Sequence, residues 1–227
     1  MIDAEIQAVF FDAVGTLLFP HAPVSRTYAE HARRHGATLT EDEVRLGFRN
    51  AFVRQEQLDH TAGWRTDENR ERDRWRTIVG EVLPGIEAER CFADLWSWFA
   101  SPAAWTVHPE AGAVLRELAA RGLVLGLGSN FDARLLTLVA AFPELAPVAD
   151  RCLISSLVGW RKPSPKFFAA LAGSADCKPA QVLYVGDDLR NDLEGARSAG
   201  MKAVLLDATA ERSASNRIRG LRDLLAG

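Results

Sequence analysis

The run Ile6-Gln7-Ala8-Val9-Phe10-Phe11-Asp12-Ala13-Val14-Gly15-Thr16-Leu17 decides how the rest of the chain is read. Its apolar part is short and rich in β-formers, as suits a strand buried on both faces, and it stops at a carboxylate followed by a turn containing glycine. In an open parallel sheet that edge, beyond the strand's carboxyl end, is where ligands bind. Four further runs share the pattern: Leu123–Gly128, Arg151–Ser155, Gln181–Val185 and Lys202–Leu206. Helix-period segments alternate with them at Glu110–Arg121, Ala133–Phe142, Pro165–Ala172 and Asn191–Ala199, with a last helix near Ala214–Leu225. Strand and helix in alternation predict an α/β protein with a parallel, doubly wound sheet.

Between the first two strands, roughly Phe19 to Val107, no strand pattern stands out and at least three helical ones do, so an inserted helical unit is expected. Thr40 and Glu43 have the spacing of a capping box, and Pro84-Gly85 separates two helices. The evenly mixed charges of Thr66–Arg76 read as a solvated helix face. Trp64, Trp75, Trp96, Trp98 and Trp105 read as packing this unit's own small core, whereas Trp160, two residues before Lys162, is placed to wall a site.

Composition narrows the function. With 227 residues, 48% of them hydrophobic, the chain can bury a full core, and its formal charge of −3 gives no general attraction to nucleic acid or an anionic membrane. Cys91, Cys152 and Cys177 have no CxxC spacing, which disfavours a disulfide framework or a zinc site. The first residues are acidic where a secretion signal needs basic ones, and no apolar run is long enough to span a bilayer, so a cytoplasmic protein is expected. Gly126-Leu127-Gly128 hints at a dinucleotide fingerprint, but Phe131 stands at the third glycine's place. Oligomeric state, monomer or homodimer, is not legible.

Four strand ends carry chemistry in sequence order: Asp12, then Ser129-Asn130, then Lys162 after the third strand, then Asp187-Asp188 with Asp192 on the next helix. Clustered carboxylates repel unless a cation is present, and Mg²⁺ takes oxygen ligands. Asp12 and Asp187 suit that ion, while a hydroxyl, main-chain N–H groups and one ammonium at Ser129, Asn130 and Lys162 suit a phosphate.

This ordered set resembles the haloacid dehalogenase-like hydrolase superfamily. The resemblance rests on Asp12-Ala13-Val14-Gly15-Thr16-Leu17, Ser129-Asn130, Lys162-Pro163-Ser164-Pro165, and Gly186-Asp187-Asp188 with Asp192. It implies a Rossmann-like core (1–18 and 107–227) with the five predicted strands in the order 5-4-1-2-3, and a helical cap (19–106). It implies further that Asp12 is the nucleophile, that Mg²⁺ is held by Asp12, the Val14 carbonyl, Asp187 and Asp192, that Ser129 and Lys162 hold the phosphoryl group of a small phosphorylated molecule, and that Lys162 orients Asp12. One position departs. Phosphatases of the superfamily usually have an aspartate where this chain has Val14, and a missing acid/base group costs about 10²–10⁴-fold in rate. Substrates with good leaving groups, His21 as a surrogate, or a weakly active binding module are the readings this leaves. A metal-independent 2-haloacid dehalogenase, with Arg45 receiving halide, is the minor alternative. A phosphonatase is excluded, because no lysine precedes Lys162.

Overall fold

The computed structural model describes residues 2–83, 88–210 and 216–226. In chain order the first half contains β1 (Ala8–Phe11), β2 (Leu18–Pro20), α1 (Val24–Arg34), α2 (Glu41–Thr61), α3 (Glu68–Val82), α4 (Ala88–Trp98) and β3 (Trp105–Val107). There follow α5 (Ala111–Ala120), β4 (Val124–Ser129), α6 (Arg134–Ala141), α7 (Ala146–Ala149), β5 (Cys152–Ile154), α8 (Ser155–Val158) and α9 (Pro165–Ser174). The chain continues through β6 (Val182–Gly186), α10 (Gly195–Ser198), β7 (Lys202–Leu206) and β8 (Arg217–Ile218).

β5-β4-β1-β6-β7-β8 form one six-stranded sheet, each neighbouring pair parallel. The fold is α/β and Rossmann-like. The period of two explains why β1 is apolar throughout: Val9 and Phe11 face one core with Leu115, Leu127 and Leu138, while Ala8 and Phe10 face another with Phe167, Leu171 and Tyr184. The glycines of β4 serve this packing. A Cβ on Gly126 would lie 2.2 Å from the Phe10 ring and one on Gly128 2.7 Å from Leu171, so both are spaces for neighbouring side chains.

α1 to α4 are inserted between β2 and β3 and bury a third core, including Tyr28, Ile78, Val79, Leu83 and Leu95. α2 opens with the expected capping box: the Thr40 side chain accepts from Glu43 N–H, and the Glu43 carboxylate accepts from Thr40 N–H at 2.9 Å. The insertion is not strand-free at its margins, as the sequence suggested. β2 and β3 pair antiparallel, Leu18 opposite Val107 and Pro20 opposite Trp105, into a two-stranded ribbon through which both chain crossings pass.

Three local expectations change. The Asn191–Ala199 helix begins earlier, as a π-helical turn over Leu189–Glu194 continued by α10, because the Asp188 side chain caps Arg190 and Asn191 N–H. In place of a last helix over Ala214–Leu225 stand β8, which extends the sheet beside β7, and a 3₁₀ turn over Leu221–Leu225. The start of that expected helix, and the Pro84-Gly85 break, lie outside the described residues. Thr66–Arg76 is solvated at Glu68, Asn69, Arg72 and Asp73 but not throughout: Glu71 and Arg74 are buried, because Glu71 pairs with Arg161 and Arg74 with Asp59, distant partners that no periodicity reveals.

Candidate active site

Asp12 is the first residue beyond β1, and its N–H still bonds the Val185 carbonyl at 2.8 Å, which holds it level with the end of β6. The chain then turns tightly, the Ala13 carbonyl accepting from Leu17 and Leu18 N–H at 2.9 and 2.7 Å. Gly15 needs its lack of a side chain twice over, having φ +95° and lying where a Cβ would meet the Asp187 carboxylate at 2.3 Å. Thr16 Oγ1 donates to Asp187 Oδ1 at 3.2 Å. Gly186 plays the same part for Asp192, whose carboxylate would sit 2.2 Å from a Cβ there. Carboxylate oxygens of Asp12, Asp187 and Asp192 consequently lie within 4.8 Å of one another.

Lys162 enters from the loop after α8. Its Nζ lies 2.6 Å from Asp12 Oδ1, 2.7 Å from Asp192 Oδ1, 2.9 Å from Tyr184 Oη and 3.2 Å from the Gly128 carbonyl. An ammonium has three protons. Tyr184 Oη itself donates to the Gly128 carbonyl, so the phenol is free to accept from the lysine. Asn130 fixes the loop: its Nδ2 donates to the Lys162 carbonyl at 3.0 Å and its Oδ1 accepts from Lys162 N–H at 2.7 Å.

Burial pushes the Asp12 carboxyl up, against the pull of Lys162 and with the repulsion of Asp187 added. Burial, then Asp192, raises Asp187 to about 6. Burial raises Asp192 to about 6 as well, although Lys162 opposes it. Burial would lower Lys162, but Asp12 and Asp192 outweigh it and hold the amine well above its ordinary value. One ammonium is too little positive charge for three crowded carboxylates. An oxygen-only donor set of this kind fits a hard divalent cation such as Mg²⁺ or Ca²⁺ and not a soft metal.

A cavity of about 340 Å³ opens above the carboxylates. Asp12, Val14, Ser129, Lys162 and Asp187 form its floor, and half-buried rings of the insertion, among them Phe48, Phe52, Trp75 and Trp96, form its walls. Insertion and core are joined beside it by charge. Buried Arg161 pairs with Glu71 and reaches Asp59 at 3.5 Å, Asp59 pairs in turn with Arg74 and with Arg70, and Ala133 N–H donates to Glu68 at 2.9 Å.

Residues 6–200 match the haloacid dehalogenase-like hydrolase family. The chain belongs to that family. Its human relative, haloacid dehalogenase-like hydrolase domain-containing protein 3, is 31% identical over 208 residues, 89% of this chain and 82% of the other. Phosphoserine phosphatase of Thermus thermophilus is 34% identical over 135 residues, 59% of this chain and 53% of the other. Among solved structures, an L-2-haloacid dehalogenase from Xanthobacter autotrophicus with covalently bound chloropropionic acid superposes with a TM-score of 0.74 at 18% identity, covering 96% of each chain. A phosphatase of the family from Thermococcus onnurineus superposes at 0.65 and 24% identity, covering 98% and 99%. At those identities the structural likeness speaks for the fold alone.

In this haloacid dehalogenase-like hydrolase, Asp12, Val14, Ser129, Asn130, Lys162, Asp187 and Asp192 all line one cavity. Three expectations fail. His21 is exposed and does not line the cavity, since the chain runs outward from β2 at that point. Arg45 is exposed, pairs with Asp42 and does not line the cavity. Trp160 lies beside Arg65 and Lys166, its ring engaged by both cations, in a separate groove. Both polar atoms of the Asn130 side-chain amide are engaged by the Lys162 main chain. Tyr184 went unrecognised because a tyrosine inside a buried strand carries no sign of which polar group it meets. Glu56 and the ring-lined wall lie on helices whose facing depends on how the insertion docks.

Proposed function

We propose that this protein catalyses Mg²⁺-dependent phosphoryl transfer to water from a small phosphorylated molecule, by way of an aspartyl-phosphate on Asp12. The observation that carries the reading is Lys162 Nζ, 2.6 Å from Asp12 Oδ1 and 2.7 Å from Asp192 Oδ1, beside a third carboxylate at Asp187. With Oδ1 held by Lys162, Asp12 attacks phosphorus through Oδ2. Ser129, at the end of β4, supplies a hydroxyl to the equatorial oxygens, where transition-state charge collects. Asp12, Asp187, Asp192 and the Val14 carbonyl would hold the cation, which when bound neutralises the carboxylates and draws charge from the phosphate. Residues 19–106 act as a cap over a core formed by 1–18 and 107–227, and the cytoplasm is the expected compartment.

Val14 shapes the rate. Among the described residues no imidazole lines the cavity, so none of them replaces the missing aspartate, and turnover is slow or confined to groups that depart without a proton. A protein that binds phosphate but barely turns over is the limiting case of the same site. The deciding experiment is a screen of phosphate esters, acyl phosphates and anhydrides with Mg²⁺, wild type beside Asp12→Asn. Phosphate release by the wild type that the variant abolishes supports the proposal; release that persists in Asp12→Asn refutes it.

A further inference from the structure

We infer that the substrate is a phosphate monoester of an uncharged aromatic alcohol, its ring lying between the Asp12 floor and the half-buried rings of the insertion. This rests on the phosphoryl-transfer reading and adds the body of the substrate to it. Two independent observations carry it, the wall of the cavity and the residue at position 14.

Tyr28, Phe92 and Leu95 line the cavity but are buried in the insertion's own core, whereas Phe48, Phe52, Trp75, Trp96 and Phe99, which also line it, remain half-buried. Large rings left partly uncovered around a shared space offer flat faces for stacking. The space of about 340 Å³ is at the small end of ligand pockets, enough for one or two fused rings and a phosphate.

Charge then selects against acidic bodies. Besides Lys162, the basic residues lining the cavity are Arg134 and Arg161. Arg134 places Nε and Nη2 on Asp132, both at 2.7 Å, and Nη1 on the Trp96 carbonyl at 3.0 Å. Arg161 is buried against Glu71, and Lys162 is shared by two aspartates. No cation among the described lining residues is left for a carboxylate on the substrate, such as phosphoserine carries. Glu56 adds a further acidic group, which accepts from Asn191 Nδ2 at 3.4 Å and makes no ion pair among the described residues. An acid group placed there meets repulsion and desolvation together.

Position 14 agrees on separate grounds. In the first step Asp12 Oδ2 bonds to phosphorus while the P–O bond to the ring oxygen breaks, its electron pair leaving on that oxygen. A phenol has a pKa of about 10, far below an aliphatic alcohol, so the phenolate departs without a donor and takes its proton from water afterwards. Water then attacks phosphorus as the P–Oδ2 bond breaks, its electron pair returning to the Asp12 carboxylate, and the proton that water sheds leaves with the inorganic phosphate. An aryl ester thus needs least from the group that Val14 lacks.

The test is calorimetric binding of three non-hydrolysable probes to the wild-type full chain with Mg²⁺: methylphosphonate, (1-naphthylmethyl)phosphonate, and the same naphthyl compound bearing a ring carboxylate. The neutral naphthyl probe is expected to bind at least about tenfold more tightly than methylphosphonate, and the ring carboxylate to remove most of that gain. Trp75→Ala, checked for folding by circular dichroism, is expected to lower the naphthyl-to-methyl ratio. Equal binding of the naphthyl and methyl probes, or tighter binding of the carboxylate, overturns the inference and leaves the phosphoryl-transfer reading standing. Failure of all three probes to bind overturns both. In kinetics, kcat/KM across aryl phosphates is expected to fall steeply as the phenol becomes less acidic, and a flat dependence also overturns the inference.

Discussion

Replacing Lys162 by methionine removes the positive charge shared by Asp12 and Asp192 while keeping the length of the side chain. The two contacts, at 2.6 and 2.7 Å, are charge-assisted hydrogen bonds between groups that are almost wholly buried: the lysine side chain is 3% exposed and that of Asp192 1%. Stranding one partner of such a buried pair costs about 3–5 kcal/mol, and here two carboxylates lose the same partner. We expect Lys162→Met to lose about 3–5 kcal/mol of stability near neutral pH in a urea series without divalent cation. The loss must depend on pH. Burial already lifts Asp192 from 3.8 to about 6 with the lysine present, and without it the carboxyl holds its proton to higher pH still. Folded protein then binds more protons than unfolded between those values, so stability falls as pH rises, and the cost of the substitution shrinks on acidification toward about pH 5. A loss below about 1 kcal/mol at neutral pH, within reach of a surface pair, or a loss of equal size at both pH values, would refute the claim that Lys162 is the counter-charge of this cluster.

The same linkage applies to the wild type: with Asp187 and Asp192 both raised to about 6, metal-free protein should lose stability as pH rises from about 4 through 6. Mg²⁺ should therefore raise Tm more at neutral pH than at about pH 5, where protons compete for its ligands, and Asp187→Asn should reduce that shift. Val14→Asp should raise hydrolysis of alkyl phosphates by about 10²–10⁴-fold, measured as phosphate release, if the proton shuttle is all that is missing. Glu71→Gln strands the buried Arg161 guanidinium, and because Asp59 lies 3.5 Å away the loss should fall near the lower end of about 3–5 kcal/mol by denaturant titration.

Asp12, Ser129, Lys162 and Asp187 were legible because each follows a buried apolar run, and in an alternating α/β chain the ends of such runs share one edge of the sheet. Contacts between segments distant in sequence were not. Tyr184 beneath Lys162 looks like any strand residue, and the ion pairs of Asp59, Glu71 and Arg74 resemble an ordinary charged helix surface until Arg161, 90 positions from Glu71, is placed among them. β8 is two residues long and gains its place by pairing with β7. The rings lining the cavity read as core, which is half true: Tyr28 and Phe92 are buried, whereas Phe48, Phe52, Trp75, Trp96 and Phe99 are half-buried.

The ribbon of β2 and β3 has a mechanical consequence. Because the chain enters and leaves the insertion through two strands paired residue by residue, any swing of the helices would turn about that ribbon and would also have to part the main-chain bonds of Trp64 and Thr66 with Arg161 and Gly159. Water does not readily reach the Arg161–Glu71 contact, so added salt would weaken it little. Access to the interior would then be a matter of breaking a latch, not of gradual loosening, and its rate would respond to temperature far more than to ionic strength.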